Sequence, residues 1–115
     1  MKLVALAALV AAIAIPTAFA RTNSNTLTGT VGPGFTITLT QAGKKVSKLK
    51  AGVYVIKVND KSAIHDFHLT GRGVNKTTSI GKIASYTWTV TLKRGTYKYV
   101  CDPHSASMFG SFTVS

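Results

Sequence analysis

Apolar and polar residues alternate with a period of two along most of the chain. Phe35, Ile37 and Leu39 alternate with Thr36, Thr38 and Thr40. Tyr54, Ile56 and Val58 share one side of the next run, with Val53, Val55 and Lys57 on the other. Tyr86, Trp88, Val90 and Leu92 alternate with Ser85, Thr87, Thr89 and Thr91. Tyr97, Tyr99 and Cys101 share a side opposite Lys98 and Val100, and Phe112 and Val114 close the pattern. Successive side chains of a strand point to opposite faces, so these runs read as strands with one buried face. Turn-forming clusters separate them at Gly32-Pro33-Gly34, Ala42-Gly43-Lys44, Ala51-Gly52, Asn59-Asp60-Lys61, Gly71-Arg72-Gly73 and Lys93-Arg94-Gly95. Arg21 to Thr26 is polar and reads as a frayed end. Short strands at this spacing predict an all-β sandwich or barrel.

The first 20 residues follow another rule. Lys2 precedes an almost unbroken apolar run from Leu3 to Ile15, Pro16 breaks it, and Ala18-Phe19-Ala20 offers small residues where a signal peptidase reads. This predicts a signal peptide over residues 1–20, removed before Arg21, and one domain over residues 21–115. The run is short for a bilayer span. The expected location is outside the cytoplasm, periplasmic or extracellular.

Charge narrows the partners. The sequence has 14 Lys and Arg against 3 Asp and no Glu, a net charge of +11. Such an excess attracts acidic proteins or an anionic membrane surface and speeds the encounter. The lysines are scattered, without the Arg-rich cluster of a nucleic-acid binder, and export argues against that partner. A monomer is expected. With three carboxylates in all, an acid pair for enzymatic work is not expected either.

Cys101 is the only cysteine, so an exported chain cannot close an internal disulfide with it. It opens the run Cys101-Asp102-Pro103-His104-Ser105-Ala106-Ser107-Met108, which brings a thiol, an imidazole and a thioether together. Soft sulfur with imidazole suits copper in both oxidation states, and two His, one Cys and a weak axial Met form the blue-copper ligand set. A second histidine must come from Ile64-His65-Asp66-Phe67-His68-Leu69. If Phe67 and Leu69 face the core, His65 faces it too, and Asp66 and His68 face solvent. His65 is therefore the candidate ligand, with His68 as the alternative. Met108 is either the fourth ligand or core filler.

The hairpin Gly95-Thr96-Tyr97-Lys98-Tyr99-Val100-Cys101-Asp102-Pro103-His104, followed by Met108-Phe109-Gly110 and Val114, resembles the plastocyanin, pseudoazurin and amicyanin branch of the cupredoxins. The resemblance runs from about Val31 to the C-terminus. It implies a Greek-key β-sandwich and one type 1 copper held by His65, Cys101, His104 and Met108. It also implies electron passage through the edge of His104. Asp66 stands where the family has Asn; it can accept the bonds that tie the ligand loops together but cannot donate them.

Three functions compete on the sequence: a carrier shuttling single electrons between redox proteins, a copper-delivery protein without redox cycling, and a metal-free interaction domain. The first uses every residue of the cluster and gives the basic surface an acidic redox partner to steer.

Overall fold

The structure is a computed structural model that describes residues 25–115. The predicted signal peptide lies outside the described residues. Ten strands follow one another: β1 Thr26–Val31, β2 Ile37–Gln41, β3 Lys44–Lys45, β4 Lys48–Leu49, β5 Gly52–Asp60, β6 His68–Gly71, β7 Val74–Thr77, β8 Ala84–Leu92, β9 Gly95–Val100 and β10 Phe109–Val114. They form two five-stranded sheets, ordered β3-β2-β1-β5-β8 and β4-β10-β9-β6-β7. β1 runs parallel to β5 and β10 to β4, and the other pairings are antiparallel.

The alternation sets which faces meet. Tyr54, Ile56 and Val58 of β5 are buried, as are Val90 and Leu92 of β8 and Tyr97 and Tyr99 of β9, with Trp88 and Tyr86 half-buried beside them. Phe67 fills the middle of the sandwich. It stacks on Tyr99 at 5.5 Å between ring centroids and lies 6.3 Å from Trp88. Burial of this apolar surface is the main force holding the sheets together.

Two expectations need correction here. β1 begins at Thr26, so the last residue of the segment read as a frayed end belongs to a central strand, while residues 21–24 lie outside the described residues. The inward positions of β1 are Leu27, Gly29 and Val31, and the glycine breaks the apolar pattern. Glycine is needed there because a Cβ would lie 2.9 Å from Cζ of Phe67. Second, Asn59 and Asp60 are the last residues of β5 rather than a turn.

The registers bring three loops to one end of the sandwich. β1 ends with Val31 opposite Asp60, the last residue of β5. β6 begins with His68 opposite Val100, the last residue of β9, and Val100 also faces Phe109, the first residue of β10. The segments 32–36, 61–67 and 101–108 therefore leave the sheets together.

Candidate metal centre

Segment 61–67 is irregular, yet it is held by a buried carboxylate. Asp60 accepts the Ser62 N–H at 3.2 Å and the Thr78 hydroxyl at 2.9 Å. The Thr78 oxygen accepts the Phe67 N–H at 2.9 Å, and the Thr78 N–H donates to the Phe67 carbonyl at 3.1 Å. Lys61 N–H donates to the Val31 carbonyl at 2.9 Å. These bonds set Phe67 into the core and leave His65 fully buried. The strand-phase argument places His65 inward, and the cause is this network rather than a strand, since β6 starts only at His68.

Segment 101–108 turns back on itself. Asp102–His104 forms one turn of 3-10 helix with Pro103 at its start, where the missing N–H costs nothing. The His104 N–H donates to the Cys101 carbonyl at 3.0 Å and the Met108 N–H to the His104 carbonyl at 2.9 Å. The Cys101 N–H donates to the Met108 carbonyl at 3.0 Å, closing the loop. Cys101 and Met108 are both buried, and His104 is half-buried.

Three donor atoms meet between these loops. Nδ1 of His65 lies 3.1 Å from Nδ1 of His104, and Sγ of Cys101 lies 3.6 and 3.5 Å from the two. A triangle with these sides has its centre about 2.0 Å from each atom, the length of a metal–imidazole bond. The donor set of two imidazole nitrogens and one sulfur fits a copper ion. Burial pushes the Cys101 thiol up from its usual pKa. A bound metal reverses that preference, because a coordinating thiol is deprotonated.

Asp66 departs from expectation. It is buried, not solvent-facing. It accepts the Asp102 N–H at 2.6 Å and the Thr77 hydroxyl at 3.3 Å, and so ties segment 61–67 to the residue after Cys101. The parity argument failed because Asp66 precedes the strand, and its side chain has bonding partners in the loop. Burial, then the neighbouring Asp102, raises the pKa of Asp66, while hydrogen bonding with Asp66 and His68 lowers that of Asp102.

His68 is held away from the three donors. Its Nδ1 lies 2.9 Å from Oδ2 of Asp102 and its Nε2 2.7 Å from Oδ1 of Asn75. Burial alone would lower its pKa. The bonds to Asn75 and Asp102, with the field of both aspartates, outweigh it and raise the pKa above the usual histidine value.

Phe35 is a second residue that the alternation misplaced. It is 64% exposed and stands before β2, not in it. Its ring meets that of His65 at 5.2 Å and that of His104 at 5.0 Å, edge to face in both cases. It covers the solvent side of the two imidazoles.

Comparison with known proteins agrees with this arrangement. The family of copper binding proteins of the plastocyanin/azurin type matches residues 30–115. No curated protein matches the sequence. Among solved structures, reduced rusticyanin superposes with a TM-score of 0.58 at 23% identity, covering 78% of each chain. Rusticyanin from Thiobacillus ferrooxidans gives 0.57 at 23% identity, covering 78% of this chain and 76% of that one. At such identity these neighbours establish the fold.

Proposed function

Because the chain belongs to the plastocyanin/azurin family of copper-binding proteins, we propose that it is an exported blue-copper protein carrying one electron at a time. On this reading His65, Cys101 and His104 would hold the copper, with the buried Met108 as a fourth, weaker ligand. The observation that carries it is the convergence of two imidazole nitrogens and one buried sulfur within 3.6 Å of one another.

Copper supplies the one-electron couple; the chain supplies a site that resists rearrangement. His65 is fixed by the Asp60–Thr78 network, and Cys101 and Met108 are fixed by each other's backbone. Asp66 locks the two loops together. Such outer bonds hold the ligands' orientation while the charge on the metal changes. Phe35 limits water at the imidazoles, and His104, half-buried, is the ligand nearest to a partner. An acidic redox protein is the partner that the net charge favours. The leader-like first 20 residues support export to the periplasm or beyond.

Voltammetry of the copper-loaded protein tests the electron-carrier reading. It should give a reversible one-electron wave that is absent in Cys101→Ser. Release of copper on each reduction would instead identify a delivery protein.

A further inference from the structure

Four strands stand at sheet edges: β3 and β8 in one sheet, β4 and β7 in the other. An open edge offers unpaired N–H and C=O groups to any passing strand, and proteins blunt edges with short strands or lysines. β3 is Lys44–Lys45, β4 begins with Lys48, and β7 carries Lys76. β8 is 9 residues long and holds no charged residue. It is rich in Thr, Val, Tyr and Trp, which suit extended pairing. Among the described residues it pairs only with β5. Among the described strands, the most inviting edge is thus the one left unguarded.

Beside β8, towards β7, lies a cleft of about 460 Å³ whose walls carry Arg72, Lys76 and Lys93, and no carboxylate lines it among the described residues. The cations are set on fixed backbone. Tyr97 is buried, its hydroxyl accepts the Lys93 N–H at 2.9 Å, and its proton faces the carbonyls of Lys93 at 2.9 Å and Arg72 at 3.3 Å. Less ordering is then required when a ligand arrives.

We propose that the open edge of β8 and this cleft form a docking site for an extended acidic segment of a partner protein. The segment adds as an extra strand beside β8, with its carboxylates among Arg72, Lys76 and Lys93. The chain has no such segment of its own. Its three acids lie apart in sequence and are engaged elsewhere: Asp60 and Asp66 are buried at the metal end, and Asp102 is bound to His68. Residues 1–24 contain no acid. A second copy would bring another +11 of charge against this one. A flat lipid surface cannot pair with a strand edge. β8 runs away from the metal end, and the cleft lies along its far half, from Thr89 to Lys93, so the site does not depend on what the metal carries.

The test uses the copper-loaded protein and a capped peptide of about ten residues alternating Glu and Thr, a typical strand length. Glu supplies carboxylates for Arg72, Lys76 and Lys93, and Thr suits extended pairing beside Thr89 and Thr91, which also line the cleft. Amide NMR should show saturable shifts confined to β8 and the cleft walls, with slowed hydrogen exchange along β8. A peptide of the same charge with Thr replaced by Pro should bind roughly tenfold or more weakly, because every second backbone N–H is lost and the proline rings disrupt a regular ladder beside β8. Combining Arg72→Glu with Lys93→Glu should weaken binding by a similar factor, with the thermal midpoint unchanged, because both side chains are exposed. Equal binding of the proline peptide would overturn the proposal. So would shifts centred on Lys44 to Lys50, dimerisation through β8 without peptide, or displacement of the peptide by phosphatidylglycerol vesicles.

Discussion

Asp66 performs two opposed tasks, and replacing it with alanine or with asparagine separates them. Alanine removes both acceptor oxygens. Thr77 has a substitute in the Thr78 carbonyl at 3.1 Å, but among the described residues Asp66 is the acceptor of the Asp102 N–H. An orphaned donor costs about 1–3 kcal/mol. Against this stands the cost of the buried charge. The pKa of Asp66 is raised, first by burial and then by Asp102. For a group raised in the folded state, its stabilising contribution is present below the unfolded pKa of 3.8 and is lost as pH rises through the folded value. At neutral pH the ionised carboxylate is therefore a net cost that either substitution removes. Asp66→Ala should lose about 1–2 kcal/mol at pH 7, the orphaned bond partly offset by the removed charge. Asp66→Asn keeps an acceptor for Asp102 and loses the charge, so it should equal or exceed the parent at pH 7. That advantage should fade as pH falls through the raised folded-state pKa, where the parent's own carboxyl protonates. Urea unfolding of the copper-free protein at several pH values reads both. Equal damage from the two substitutions, or an Asn advantage that grows on acidification, would refute this account of the residue.

Three further outcomes follow from the geometry. Phe35→Ala should leave stability nearly unchanged, because the side chain is 64% exposed, but should speed copper loss to a chelator several-fold; an unchanged rate removes the capping role. The ring signals of His68 should titrate above 6.5, so that its contribution to stability is present below 6.5 and lost as pH rises through the folded value; an NMR midpoint at or below 6.5 contradicts the pairing with Asp102 and Asn75. Gly110→Ala would place a methyl inside the ring of Tyr99, which is packed against Phe67 and Phe112, and should cost about 1–3 kcal/mol in thermal unfolding; a parental midpoint would show that the ring can move.

The sandwich was legible wherever side-chain alternation was unbroken. β5, β8 and β9 bury the residues that their period assigns, because one face of each has nowhere to go but the core. β1 was hidden because its central inward residue is a glycine chosen by the ring of Phe67, a contact that joins residues far apart in sequence. Parity also misled in the loops. Phe35 counts as inward from Ile37 and Leu39 but stands outside the strand over the imidazoles. Asp66 counts as outward from Phe67 and Leu69 but is drawn in by Asp102 and Thr77. The donor residues themselves stood out by chemistry, since a lone thiol, a proline-braced histidine and a nearby methionine need no strand phase to be noticed. What tied them together, the Asp60–Thr78 network, consists of ordinary polar residues whose partners only the fold supplies.

The central claim is that Cys101, with His65 and His104, holds a redox-active copper. The most direct measurement is the visible absorption spectrum of the copper-loaded protein after oxidation, recorded beside Cys101→Ser under the same loading. The account predicts an intense thiolate-to-copper band that makes the protein blue, disappears on reduction and is missing from the variant. A colourless oxidised protein with copper bound, or an intense band that survives in Cys101→Ser, would contradict it.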